Sequence, residues 1–186
     1  MGSIYPGMGT RQVKVTFESI PRGSKTRSSL EFVAQGHPIC LPVLMVRGNA
    51  PGPTLLVTAG VHGDEYEGVR TIFEVFGALD AEAMKGNFLA VPVMNPPAFW
   101  NMSRTSPLDG ANLARVFPGS QQGTPTEAIA YHFDQYVLSL ADFYVDQIGA
   151  VAQRTGVTER EIRRWFDDEL ISADGFRTQV LDGPGD

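Results

Sequence analysis

The sequence predicts an α/β fold, and three features met in order along the chain support this class. Thr54–Gly60 (TLLVTAG) is an uncharged run typical of a strand covered on both faces. Asn87–Val93 (NFLAVPV) is a second such run, and Asn95-Pro96-Pro97 ends it with a bend. The segment between them has the apolar spacing of an amphipathic helix, with an inner face of Val69, Ile72, Phe73 and Phe76. A helix joining two such strands predicts a parallel β-α-β unit, which binds ligands at the carboxyl ends of its strands.

The residues before Thr54 predict weaker strands separated by loops. Arg11–Glu18 alternates polar and apolar residues, as an edge strand does, and Ser19–Ser29 has the polar composition of an exposed loop. Ser29–Val33 and Ile39–Arg47 are two further predicted strands, and Gly48–Pro53 (GNAPGP) is predicted to be a turn. The second of these strands is expected to place on one face Leu41, Val43 and Met45.

The second half of the chain predicts a long loop, a helix and a short strand. Phe99–Gly123 is polar and glycine-rich, and loops of this length in compact domains are usually functional or disordered. Thr124–Leu140 has helical spacing and a start signal at Thr124 or Thr126. Ala141–Asp146 (ADFYVD) is predicted to be a third short strand of the domain.

Composition restricts the classes of partner. Hydrophobic residues make up 42% of the 186, which is enough to form a core. The net charge of −6 is unlike that of a protein that binds nucleic acid or an anionic membrane, since both need a surplus of Lys and Arg. Small molecules or proteins are the expected partners, and the oligomeric state is left open. The single cysteine, Cys40, is predicted to be a buried thiol of a reducing compartment. With no secretory signal and no membrane-spanning run in the sequence, we expect a cytoplasmic protein.

The loop after the first buried run carries a candidate metal site. His62 and Glu65 follow Gly60 at once, so a sharp bend would present an imidazole and a carboxylate to one point, which is a zinc-type ligand set. The alternative is a surface histidine followed by a glutamate that only caps a helix. Arg104 and Arg115 in the long loop suit capture of a substrate carboxylate, and the alternative there is a pair of solvated arginines.

Taken together, three segments resemble the succinylglutamate desuccinylase and aspartoacylase family, which is related to the zinc carboxypeptidases. They are GVHGDEYEG, NPPAFWNMSRTSPLDGANLARVFPG, and TPTEAIAYHF leading into ADFYVD. The resemblance implies a mixed sheet flanked by helices and a zinc-dependent hydrolase that removes an acyl group from a small N-acyl carboxylate.

The resemblance also implies roles for particular residues. His62 and Glu65 would be zinc ligands, Arg104 would polarise the scissile carbonyl, and Arg115 would hold the substrate carboxylate. Family members commonly have an asparagine just before the second arginine. Here that position is Ala114, and Asn112 is the candidate to contribute to substrate binding instead.

The chain departs from the family pattern after Asp146. Gln147 and Ile148 stand where the family has a leucine and the histidine that is its third zinc ligand, and the family's general-base glutamate lies further on. We therefore expect a deacylase-like zinc-hydrolase domain over residues 1–146, truncated at its carboxyl end. We also expect this chain to turn over substrate poorly or not at all.

Residues 147–186 form a predicted second unit, in which 147–178 resemble the DNA-reading helix-turn-helix of MerR-type regulators. Gly156 would make the turn, and Arg163 and Arg164 would face phosphates or bases. Five arginines against eight acidic residues give this unit a net charge of −3, which disfavours the nucleic-acid partner that the resemblance implies. The alternatives are a protein-interaction module, a helical hairpin packed on the preceding domain, and a chimeric or frameshifted joint at Gln147.

Overall fold

A five-stranded mixed sheet forms the centre of the part of the chain that the computed structural model describes, residues 15–145. The strands lie in the order β1-β2-β4-β3-β5. In chain order the elements are β1 (Ser24–Ala34), β2 (His37–Arg47), β3 (Ala50–Thr58), α1 (Glu67–Ala78), β4 (Lys85–Val91), α2 (Pro96–Trp100), α3 (Pro125–Tyr136) and β5 (Phe143–Val145), with short 3-10 turns at Leu113–Arg115 and Leu138–Leu140.

The β1–β2 hairpin forms one side of the sheet. Its register runs without interruption from Ser24 opposite Arg47 to Ala34 opposite His37. The two connecting residues, Gln35 and Gly36, have φ of 48° and 84°, as the tight two-residue turns that match strand twist require.

The predicted β-α-β unit is confirmed. β3 and β4 are parallel, with Leu56 opposite Leu89, and β5 continues the parallel arrangement on the other side of β3. Apolar side chains cover both faces of the sheet. α1 packs on one face through Ile72 and Phe76, and α3 packs on the other through Ile129 and Phe133. The predicted class, a mixed sheet flanked by helices, is therefore correct.

The predictions before β2 were partly wrong. Val15–Glu18, the described part of the predicted first strand, is not extended in the sheet, because Thr16 Oγ1 accepts a hydrogen bond from Glu18 N–H and the chain turns there. Its burial pattern still fits the alternation, since Val15 lies in the core. The predicted loop Ser19–Ser29 gives way to β1 at Ser24, because an edge strand tolerates polar residues on its open face.

The segment Gly48–Pro53 is not simply a turn, since β3 begins at Ala50 and includes both Pro51 and Pro53. The pairing with β4 shifts register between Ala50 and Thr54, and this irregularity accommodates prolines that cannot donate to a continuous ladder.

Two predicted core residues are exposed. Cys40 lies on the solvent side of β2, because side chains alternate along a strand and its neighbours Ile39 and Leu41 point into the core. Phe73 of α1 is 44% exposed, and the buried face of that helix uses Val75 instead.

The predicted second helix ends earlier than expected, at Tyr136, and is followed by the separate 3-10 turn at Leu138–Leu140. Thr124 caps it, and Glu127 completes a capping box by accepting from Thr124 N–H. The third predicted strand is β5.

Residues 146–186 lie outside the described part, and with them the helix-turn-helix-like unit and its proposed nucleic-acid contacts, which stay predictions. No helix within residues 15–145 is long and apolar enough to cross a membrane.

Candidate functional site

The loop between β3 and α1 is held at the carboxyl edge of the sheet by backbone hydrogen bonds. Met94 N–H donates to Ala59 O and Asn95 N–H donates to Gly60 O, so the chain after β4 stays paired with the chain after β3. Gly60 adopts φ of 64°, which turns the loop over the sheet edge. Gly63 N–H donates to Ser103 O at 2.9 Å, which joins this loop to the start of the long loop after α2.

These turns bring His62 and Glu65 together. His62 is 3% exposed, and its Nδ1 lies 2.8 Å from Glu65 Oε1. The Glu65 side chain is 46% exposed, so the pair has one buried and one open member. Glu65 precedes α1, which begins at Glu67, and Tyr66 occupies the N-cap position. The glutamate side chain is consequently free of a capping role and faces the histidine.

Asn112 contacts the other ring nitrogen of His62. Its Oδ1 lies 3.2 Å from His62 Nε2 and also accepts a hydrogen bond from Ala114 N–H at 3.0 Å. Because the backbone donor identifies this atom as the acceptor, the hydrogen between Asn112 and the ring resides on Nε2. A hydrogen-bond partner of this kind holds a histidine in one tautomer and one orientation. Asn112 was predicted from the sequence to contribute to substrate binding, and the structure shows its Oδ1 in contact with His62 Nε2.

This contact determines what fits between His62 and Glu65. A neutral ring with its hydrogen on Nε2 presents a lone pair at Nδ1, and the carboxylate of Glu65 also presents lone pairs. Two acceptors 2.8 Å apart need a proton or a metal ion between them. Imidazole nitrogen and carboxylate oxygen are common zinc ligands, so the donor set fits zinc as two members of a site.

Arg104 reaches the same carboxylate from the long loop. Its guanidinium nitrogen lies 3.6 Å from Glu65 Oε1, and its side chain is 61% exposed, which makes this a weak contact that a ligand can displace. Arg115 ends the 3-10 turn that begins next to Asn112, and its side chain is exposed. Within residues 15–145 it forms no ion pair, so both arginines are available to a negatively charged ligand.

Two residues that the sequence reasoning did not single out support this arrangement. Gly63 packs so closely on Ala98 that its position has no room for a Cβ atom. Asp109 accepts from Thr126 N–H at 2.8 Å and from the Thr126 hydroxyl at 2.7 Å, and so ties the long loop to α3. Burial of the Asp109 carboxyl acts to raise its pKa, but these hydrogen bonds outweigh that effect and leave the pKa below its ordinary value. The sequence pair Asp109-Gly110 is typical of a turn and could have indicated a turn at Asp109.

His132 is separate from the site. Its ring is buried in α3 and stacks on Phe32 with centroids 3.8 Å apart, and its Nδ1 lies 2.8 Å from Ala128 O. Among residues 15–145 no three His, Cys, Asp or Glu side chains are grouped so as to hold a metal ion. The positions of the family's third ligand and general base, expected after Asp146, lie outside this range.

Comparison with known proteins places this chain in a family. A sequence profile of the succinylglutamate desuccinylase/aspartoacylase catalytic domain matches residues 51–147. An N-alpha-acetyl-L-2,4-diaminobutyric acid deacetylase of Halomonas elongata is 43% identical over 108 residues, which are 58% of this chain and 31% of that protein.

Solved structures agree. A succinylglutamate desuccinylase/aspartoacylase from Rhodobacter sphaeroides superposes with a TM-score of 0.64 and 32% identity, over 71% of this chain and 41% of that one. The product-bound ectoine utilization protein EutE (DoeB) from Ruegeria pomeroyi gives 0.60 and 38%, over 69% and 41%. A putative metallopeptidase from Shewanella amazonensis gives 0.50 and 26%, over 64% and 48%.

These comparisons confirm the predicted zinc carboxypeptidase-like class of fold. The chain spans about a third of the length of the deacetylase and about two fifths of the first two structures. The profile match covers half of the chain and includes every proposed site residue. The chain therefore belongs to the succinylglutamate desuccinylase/aspartoacylase family.

Proposed function

We propose that this chain carries the zinc-binding and carbonyl-polarising part of a hydrolase that removes an acyl group from a small N-acyl amino acid or a related carboxylate. The observation that carries the proposal is the pair of acceptors, His62 Nδ1 and Glu65 Oε1, 2.8 Å apart at the carboxyl edge of two parallel strands. Ligand sites of α/β proteins lie at this edge, and an imidazole with a carboxylate is a zinc-type ligand set.

Each residue of the site has a distinct role in this proposal. His62 and Glu65 hold the metal, and zinc bound there would lower the pKa of a coordinated water towards neutrality and act as a Lewis acid. Arg104, which approaches Glu65 from the solvent side, stabilises the negative charge that develops on the carbonyl oxygen during attack. Arg115 binds the substrate carboxylate through its planar guanidinium.

The names of the relatives suggest the substrate class. One is a deacetylase of an N-acetylated diamino acid, and the family is named for succinyl and aspartyl N-acyl compounds. An N-acyl amino acid offers both an amide carbonyl for Arg104 and a carboxylate for Arg115. We propose such a molecule as the partner. We also propose that zinc-dependent hydrolysis of the substrate by this chain is slow, because residues 15–145 supply two protein ligands of the three that a catalytic zinc site usually has.

The metal role is tested by zinc titration of the purified full-length chain against a chromophoric chelator. We expect one zinc per chain, lost or weakened at least tenfold in Glu65→Gln. Glu74→Gln is the matched control, since Glu74 is also about half exposed and pairs with an arginine, Arg70, on the outer surface of α1. Zinc binding absent from the wild-type chain, or equal in all three proteins, would contradict the proposal.

The chemistry is tested on the same samples with N-acetyl-2,4-diaminobutyrate and N-succinylglutamate, and released amine is measured. Any turnover should require zinc and should fall in Arg104→Gln, mainly through kcat, because Arg104 acts on the transition state. Arg115→Gln should act mainly through KM. A zinc-loaded chain whose slow hydrolysis is indifferent to Arg104→Gln would disprove the assigned role.

A further inference from the structure

The long loop after α2 is closed by its own hydrogen bonds where it passes the site. Ser106 N–H donates to Ala111 O at 3.0 Å, and Gly110 N–H donates to Ser106 O at 2.8 Å, so residues 106–111 form a compact turn. Ser106 is 1% exposed, which places the base of this turn in the interior. These bonds make the turn one hydrogen-bonded unit, so a contact that holds the turn also holds the residue that follows it, Asn112.

Asp109 at the tip of this turn holds it to α3. Its carboxylate accepts three hydrogen bonds, from Thr126 N–H at 2.8 Å, from Thr126 Oγ1 at 2.7 Å and from Ala111 N–H at 3.1 Å. Thr126 is fully buried in the first turn of a twelve-residue helix, where backbone N–H groups lack helical partners and favour a negative charge. Asp109 thus links the turn to a rigid part of the core.

Asn112 directly follows Ala111, whose N–H donates to Asp109. Its side chain spans to His62 Nε2 at 3.2 Å, and the next residue, Leu113, is fully buried in the core. The Asp109 contacts fix Asn112 from one side and Leu113 fixes it from the other. The oxygen that sets the tautomer of His62 is therefore positioned by a carboxylate whose own hydrogen bonds are to Thr126 and Ala111 and not to His62.

We propose that Asp109 is a positioning residue for the site: its bonds to Thr126 and Ala111 hold Asn112 Oδ1 on His62 Nε2, and so keep Nδ1 of the ring facing Glu65. In Asp109→Asn the amide nitrogen must face either Thr126 N–H or Ala111 N–H, each of which can only donate, so at least one of these bonds is lost. The consequence for metal binding rests on the proposed function; the consequence for the orientation of His62 does not.

The first test is NMR on the metal-free full-length chain. The wild-type protein should show a solvent-protected imidazole Nε2–H signal that disappears in His62→Gln and is thereby assigned. In Asp109→Asn this signal should shift and lose protection. Thr126→Ser keeps both the N–H and the hydroxyl donor, so its His62 signal should match that of the wild type. Thr126→Ala loses the hydroxyl donor and should lose part of the protection of the signal.

Asp142→Asn is the matched control. Asp142 Oδ2 accepts from Thr54 N–H at 2.7 Å, the same kind of bond, but at the amino end of the β3 ladder, opposite the edge that carries His62. Both variants should lose stability to urea, and only Asp109→Asn should change the His62 signal. An absent wild-type signal, an unchanged signal in Asp109→Asn, or equal changes in both variants would overturn the proposal.

Zinc affinity supplies the second readout, measured where every variant is fully folded. Loss of a partner that orients a metal-binding histidine usually weakens affinity about 10- to 100-fold, and we expect this for Asp109→Asn but not for Asp142→Asn. If the wild-type chain bound no zinc, the proposed function would fail while the His62 signal still decided the role of Asp109. If zinc bound equally well to both variants, Asp109 would have no role in the metal site.

Discussion

Gly63 offers a sharp test of how the site is built, because alanine there has no space. A Cβ atom at this position would lie against the carbonyl of Ala98 and the amide nitrogen of Phe99, well inside the 3.0 Å that Cβ atoms essentially never cross. Both neighbours are backbone atoms in the short helix α2, so no side chain can move aside. The loop must retreat by about an ångström, which also breaks the bond from Gly63 N–H to Ser103 O.

The expected cost of Gly63→Ala follows from these contacts. Overpacking of an interior costs about 1–3 kcal/mol and a lost backbone hydrogen bond about 1 kcal/mol, so the free energy of unfolding should fall by about 2–4 kcal/mol. Urea unfolding followed by tryptophan fluorescence and far-UV circular dichroism measures it. Because His62 precedes Gly63, zinc affinity of the folded variant should fall as well.

Gly77→Ala is the matched control for this change. Gly77 lies near the end of α1, and a Cβ atom there meets nothing within 4 Å. The same substitution should therefore stabilise the protein by about 0.5–1 kcal/mol through helix propensity and leave zinc binding unchanged. A Gly63→Ala protein within about 0.5 kcal/mol of wild type would refute the close packing of the two loops.

Three further predictions concern other parts of the domain. Burial lowers the pKa of His132 from its ordinary value of 6.5, so the folded state disfavours its protonation. The contribution of the neutral ring to the free energy of unfolding should be fully present above pH 6.5 and should decline as the pH falls below it. Urea titrations at several pH values should find this decline in the wild type and not in His132→Gln. Cys40 should react with a thiol reagent in the folded protein, although burial of part of its surroundings raises the thiol pKa and slows the reaction; labelling that needs denaturant would contradict its exposed position. Thr124→Ala removes the capping box of α3 and should lower the unfolding free energy by about 1 kcal/mol, with Thr124→Ser close to wild type in the same urea assay.

Sequence patterns predicted the centre of the fold and the proximity of His62 and Glu65. The uncharged run of β3, the helical spacing of α1 and the order of the apolar segments sufficed for the parallel unit, because burial on both faces excludes charge from such strands. Proximity of His62 and Glu65 followed from the tight loop between them, since only two intervening residues limit how far apart the two side chains can lie.

The same patterns did not predict the exposure of Cys40 or the prolines inside β3. The exposure of Cys40 was implicit in the inward placement of Leu41 and Val43, because neighbours on a strand face opposite sides. The prolines of β3 could not be reconciled with a strand from sequence, because the register shift that admits them is a property of the pairing with β4.

The sequence by itself determined the class of fold, the pair of candidate metal ligands and the loop that carries two arginines. The tertiary structure decided what the loop residues contact. Asn112 Oδ1 contacts the ring of His62, fifty residues earlier in the chain, and Asp109 accepts a hydrogen bond from Thr126 of α3. The reason is physical. Periodicity reports which face of a helix or strand is buried, whereas the partner of a polar loop side chain depends on distant backbone donors and acceptors that only folding brings within hydrogen-bonding distance.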